Sequence, residues 1–212
     1  MTSTNYLSPE DFRKMVEAIP LVTEYNKGKL HTNEHKRLPN PILIICALWV
    51  QYCHALRVSE VLSLTPDDFD FERNILTLPR TKTGFKMKDG VKTRKKQFTS
   101  IPPDLPESVK HVIQHNGDGV LFPFTRQLIW AYVKKAAKMA KLDLAEQQDE
   151  RFIEGAWTHL IRKSRAKMMI ELGAPEVMVK VKLRHTFSVT ERYTKPDINA
   201  LIEWEKKNIE KA

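Results

Sequence analysis

Two short stretches of this chain could handle a phosphate. His159 and Arg162 stand three apart, in His159-Leu160-Ile161-Arg162, on a segment that reads as helix, so they share one face. A titratable nitrogen beside a fixed guanidinium fork suits a phosphate oxygen. Between Arg80 and Lys96 lie eight basic residues and one acid, Asp89. A hairpin this basic suits a phosphate backbone, because neutralising phosphates releases counterions. Each stretch also has a bland reading, a solvated helix face for the first and a self-repelling loop for the second. Arg57 is either a surface partner of Glu60, a contact worth less than about 1 kcal/mol, or a site residue fixed beside a buried element. Taken alone, His185 reads as a structural or exposed histidine, and Tyr193 as a packing tyrosine whose hydroxyl finds a partner.

Other chemistries find little support. His31/His35 and His111/His115 have i,i+4 spacing, but neither pair has a nearby Cys or paired carboxylate to complete a metal site. No Gly-rich phosphate loop with a following Lys-Ser/Thr appears, and no Gly-x-Ser-x-Gly. Neither a metal nor a cofactor is expected.

The elements that must position these residues can be read in outline. Ser8-Pro9-Glu10-Asp11 looks like a helix start, with Ser8 as N-cap and acids in the first turn. Asn26 to Asn40 reads as a polar loop. Pro41 to Cys53 is the most apolar run, too short to span a bilayer, and reads as a buried helix. His54 to Glu60 leads from it into a short helical turn. Ile75–Leu78 and Gln97–Ile101 read as strands, with Asp89-Gly90 as a hairpin signal between them. From Pro102 onward the chain reads helical. Thr125 caps a helix with Ile129, Tyr132, Val133, Ala136 and Ala140 inside, and Lys134, Lys138 and Lys141 on another stripe. A further helix runs from about Thr158 to Gly173, and Pro175 opens the next. Asp197 to Glu210 carries Ile198, Leu201, Ile202 and Ile209 at roughly helical spacing. The fold class expected is mainly α with a small antiparallel sheet.

The chain has 212 residues, 42% hydrophobic and 29% charged, with a formal charge of +9. That suits one large domain or two small ones, and no composition shift marks a second. A balance this basic concerns partners, and the common ones are nucleic acid and anionic membrane surface. Met1 to Tyr6 lacks the regions of a signal peptide. Cys46 and Cys53 are separated by seven helical residues, about 10 Å, and read as core thiols in a reducing compartment. A soluble intracellular protein is expected, without a membrane partner.

The order of the motifs is more specific than any one of them. Ala55-Leu56-Arg57-Val58-Ser59-Glu60 resembles the first arginine box of the tyrosine recombinase (phage integrase) family. Arg80-Thr81-Lys82-Thr83-Gly84 resembles its hairpin lysine box, and His159-x-x-Arg162 its His-x-x-Arg box. Leu183-Arg184-His185 is similar to the next box and Glu191-Arg192-Tyr193-Thr194 to the tyrosine box. The resemblance covers about Ser8 to Thr194. Three departures stand out. Arg184 replaces the family's usual glycine, the stretch from His185 to Tyr193 is one residue shorter, and the long hairpin makes Lys86 a rival to Lys82.

The resemblance implies a tyrosine recombinase catalytic-domain fold and a DNA recombinase or integrase, an enzyme of DNA integration and mobile genetic elements. It makes Tyr193 the nucleophile of a 3′-phosphotyrosine intermediate. His159 would accept its proton, and Arg57 and Arg162 would stabilise the transition state. Lys82 would protonate the leaving 5′-oxygen, and His185 would hydrogen-bond the phosphate. Lys86, Lys88, Lys92, Arg94 and Lys163 are the expected DNA contacts. Double-stranded DNA is the implied partner, with self-association to a tetramer on it, in the nucleoid-containing cytoplasm or a virus-infected host's cytoplasm. Residues 1–212 are expected to form one catalytic domain. It is either an isolated piece or a minimal protein, since little precedes the region where relatives carry a core-binding domain. Residues 196–212 are expected to form a C-terminal helix, docked on its own body or exchanged with a neighbouring protomer. Two alternatives are DNA relaxation of the type IB topoisomerase kind and a non-catalytic DNA-binding protein on the same fold.

Overall fold

The computed structural model describes residues 6–29, 38–79, 85–88, 91–94, 96–142, 156–185 and 197–210. In chain order the helices are α1 (Pro9–Glu17), α2 (Ile19–Lys29), α3 (Pro41–His54) and α4 (Val58–Val61). A 3-10 turn (Pro66–Asp68) precedes strands β1 (Phe69–Asp70), β2 (Ile75–Pro79), β3 (Phe85–Lys88), β4 (Val91–Arg94) and β5 (Lys96–Ser100). Then come α5 (Glu107–His115), α6 (Arg126–Met139), α7 (Ala156–Glu171), α8 (Glu176–Lys182) and α9 (Ile198–Asn208). The mainly α class with a small antiparallel sheet is borne out.

Helix starts follow local chemistry. The Ser8 hydroxyl accepts from the Asp11 amide at 3.0 Å, with Pro9 as first helical residue. Asn40 caps α3 through the Ile42 amide at 3.0 Å, Thr125 caps α6 through Leu128, and Asp197 caps α9 through Ala200. Each cap satisfies a donor that the first turn leaves orphaned.

The chain divides into two compact units. The first comprises residues 1–62 and 122–168. Here α6 packs on α1, α2 and α4, and α3 packs on α2 and α4. Phe12 stacks on Tyr52 with centroids 4.1 Å apart and meets Trp49 edge-on at 5.0 Å. The guanidinium of buried Arg165 lies over Tyr52. The Ser164 hydroxyl accepts from the Leu7 amide at 2.7 Å, tying the entry to α1 onto α7. Cys46 and Cys53 are buried free thiols, and burial pushes the Cys46 thiol up to about 11, so it stays protonated and inert.

The second unit comprises residues 63–121 and 169–212. A three-stranded antiparallel sheet has the order β1-β2-β5, with Pro79 opposite Lys96 at one end and Ile75 opposite Ser100 at the other. A separate ribbon pairs β3 with β4, Lys88 opposite Val91. The Asp89-Gly90 turn lies outside the described residues, and the register leaves two residues for it. The helix α9 packs on β5 and α8 of its own chain, burying Leu201, Ile202 and Ile209. Among the described residues no helix is long and apolar enough to cross a membrane.

Candidate functional site

The first unit sets two of the motif residues, Arg57 and Arg162, against one buried carboxylate, Glu60. The helix α3 ends with Ala55 in the left-handed conformation, φ 50° and ψ 44°. The Leu56 amide returns to the Gln51 carbonyl at 3.0 Å and the Ala55 amide to Tyr52 at 3.1 Å. This is a Schellman ending, normally built with glycine, and an L-residue there costs roughly 1 kcal/mol. The turn frees the Ala55 carbonyl, which accepts from Arg162 Nη1 on α7. Two residues on, Arg57 begins α4. Its amide donates to Glu60 Oε2 at 2.7 Å and its Nη1 to Glu60 Oε1 at 3.0 Å.

Glu60 thus faces both arginines, with Arg162 Nη1 at 4.0 Å from Oε2. The side chains of Glu60 and Arg162 are 6% and 7% exposed, while Arg57 is 47% exposed. The contact between Arg57 and Glu60 is therefore not the surface pair that its spacing suggested. One carboxylate against two guanidiniums leaves a net positive charge, and Arg57 opens that charge to solvent. This geometry suits an anion approaching from outside.

His159, one turn before Arg162 on α7, is exposed. Its pKa lies below the ordinary imidazole value, first through partial burial, then through the positive charges of Arg162, Arg57 and Lys163. The ring is therefore largely neutral at pH 7 and can accept a proton. Lys163 is exposed next to the pair.

In the second unit, α8 also ends in a left-handed non-glycine residue, Arg184 at φ 54°. The His185 amide donates to the Lys180 carbonyl at 3.0 Å and the Arg184 amide to Val181 at 2.9 Å. The backbone therefore explains why glycine is favoured in this box. Arg184 Nη1 donates to the Lys182 carbonyl at 3.0 Å, placing a cation at the helix's negative end. His185 follows directly and is exposed.

Lys82 and Tyr193 lie outside the described residues. Lys86 and Lys88 fall on β3, and Lys92 and Arg94 on β4. Of the two histidine pairs, His31 and His35 are outside the described residues; His115 Nδ1 lies 2.8 Å from the His111 carbonyl. Among the described residues no group of three His, Cys, Asp or Glu could hold a metal.

The fold and site define a mainly α protein with a guanidinium pair near a largely neutral imidazole, a combination whose charge suits an anion. The model of the Phage integrase family matches residues 23–199, and the chain belongs to that family. No curated protein sequence matches it. Several solved structures share its fold, two of them of XerH. One is the XerH site-specific recombinase bound to difH substrate in a pre-cleavage complex, at 19% identity and a TM-score of 0.56, covering 97% of this chain and 54% of that one. The other is XerH bound to palindromic difH substrate in a post-cleavage complex, at 19% identity and a TM-score of 0.54, covering 94% and 52%. The chain thus spans about half the length of these structures.

Proposed function

We propose that this chain is a site-specific DNA recombinase that cuts and rejoins strands through a covalent 3′-phosphotyrosine at Tyr193. The observation that carries this reading is the Arg57–Glu60–Arg162 cluster beside a neutral His159. Family membership supports it, and so do structural neighbours that are site-specific recombinases bound to difH substrates.

Tyr193 Oη attacks the phosphorus, the bond to the 5′-oxygen breaks, and a 3′-phosphotyrosine and a 5′-hydroxyl result. The tyrosine proton goes to His159, since a free tyrosine with a pKa of about 10 is a weak nucleophile at neutral pH. Arg57 and Arg162 stabilise the charge gathering on the non-bridging oxygens. Lys82 protonates the leaving 5′-oxygen, and His185 hydrogen-bonds the phosphate. One phosphodiester is exchanged for a linkage of similar energy, so no nucleotide is consumed. Lys86, Lys88, Lys92, Arg94 and Lys163 hold the DNA backbone. Double-stranded DNA is the partner, and complete recombination proceeds in a tetramer on two duplexes, in the compartment that holds the DNA. Residues 1–212 are proposed to act as one catalytic module.

The test is a nicked duplex carrying the target site, which traps the intermediate by losing a short strand. Wild type gives a covalent adduct on a denaturing gel, Tyr193→Phe gives none, and an adduct surviving Tyr193→Phe sinks the assignment.

A pH dependence follows from His159. As proton acceptor it must be neutral, so the acid limb of the single-turnover cleavage rate lies below pH 6.5, the ordinary imidazole value. Removing a neighbouring cation favours imidazolium, so Lys163→Gln moves that limb to higher pH. An unmoved limb takes the proton from a group other than His159.

A further inference from the structure

Lys182, Glu205 and Ser100 form an interior ionic cluster that this reaction does not use. Lys182 Nζ lies 2.8 Å from Glu205 Oε1, and the two side chains are 0% and 1% exposed. Nζ also donates to the Ser100 hydroxyl at 2.9 Å and to its carbonyl at 3.2 Å. The Ser100 hydroxyl donates to Glu205 Oε2. The cluster joins α8, α9 and β5, which also pack directly on one another. For stability alone, apolar residues of similar volume often serve as well as a buried ion pair. What the cluster adds is direction, because each hydrogen bond is made in only one register of the packed elements.

Its place in the chain shows what that register controls. His185 comes three residues after Lys182, and Tyr193 comes five before Ile198, the first residue of α9. The pair of Lys182 with Glu205 therefore joins α8 to α9 on either side of the segment that carries both. Five residues span at most about 17 Å, so the seating of α9 bounds where Tyr193 can travel. Ser100 ends β5, whose partner β2 leads at Pro79 into the segment holding Lys82.

We infer that Lys182, Glu205 and Ser100 are positioning residues: the cluster fixes α9 in one register on α8 and β5, and so sets the ends of the segment that carries Tyr193. This rests on Tyr193 being the nucleophile.

The decisive variant is the apolar double replacement Lys182→Met/Glu205→Leu. Its control is Glu203→Ala/Lys206→Ala, which removes an exposed pair on the same helix. The double variant keeps its urea midpoint and binds nicked duplex within about threefold of wild type, yet forms the covalent adduct at least about tenfold more slowly. Amides of Leu201 and Ile202 exchange with deuterium about tenfold faster while global stability holds. The control changes none of these. Ser100→Ala, which keeps the ion pair, gives the same two effects in milder form and serves if the double variant does not fold. Cleavage and α9 exchange both at wild-type rates, in whichever variant folds, overturn the inference. If wild type forms no adduct, the tyrosine assignment fails, and α9 exchange alone still decides whether the cluster sets the register.

Discussion

Replacing Glu60 by alanine is expected to destabilise the protein by about 3 kcal/mol in urea unfolding, a large effect for one side chain. The carboxylate is interior and faces two guanidiniums. Of the two, half-exposed Arg57 is screened by water and contributes less than about 1 kcal/mol. The larger part comes from Arg162, which stays buried and loses its facing anion. Glu60→Gln keeps the shape and two acceptor or donor positions, so it falls between alanine and wild type. A loss below about 1 kcal/mol for Glu60→Ala means that Glu60 carries only the surface pair.

Arg162→Ala is expected to lower single-turnover strand cleavage by about 10²- to 10³-fold while weakening DNA binding far less. The guanidinium is held by the Ala55 carbonyl and faces Glu60 with the same nitrogen, which sets the plane in which it meets a phosphate oxygen. Arg162→Lys does not restore the rate. An ammonium cannot hold the carbonyl and present a planar fork together. Recovery to within about tenfold of wild type with lysine reduces Arg162 to a point charge.

The parts of the fold that were legible in the sequence are those with local causes. Ser8-Pro9 and Gly173-Ala174-Pro175 mark ends that the backbone obeys, and Gly173 sits at φ 79°. Others depend on distant packing. Asn26 to Lys29 reads as loop because of Gly28, yet α2 continues to Lys29, its body packed on α3 and α6. The basic hairpin around Asp89-Gly90 was legible, but its flanks β3 and β4 were not marked as strands, because lysines interrupt their apolar pattern.

The site divides the same way. The order of the boxes was visible, and two of their residues do meet in the first unit. The burial of Glu60 was not visible, because Arg162 comes from about a hundred residues further along. Nor was the left-handed Ala55, since alanine is the best of helix formers and its conformation here is imposed by the helix end. Nothing in Lys180-Val181-Lys182 sets Lys182 apart from an ordinary surface cation in the sequence. Its acid partner lies 23 positions away on a helix that must first dock.

Strand exchange by this chain depends on Tyr193 becoming bonded to DNA. The most direct measurement is to trap the adduct on a nicked duplex, digest protein and DNA, and map the modified peptide by mass spectrometry. A nucleotide phosphate is expected on Tyr193 Oη, on the 3′ side of the cut. The same adduct on Tyr6 or any other side chain, or a phosphate from the 5′ side, contradicts it.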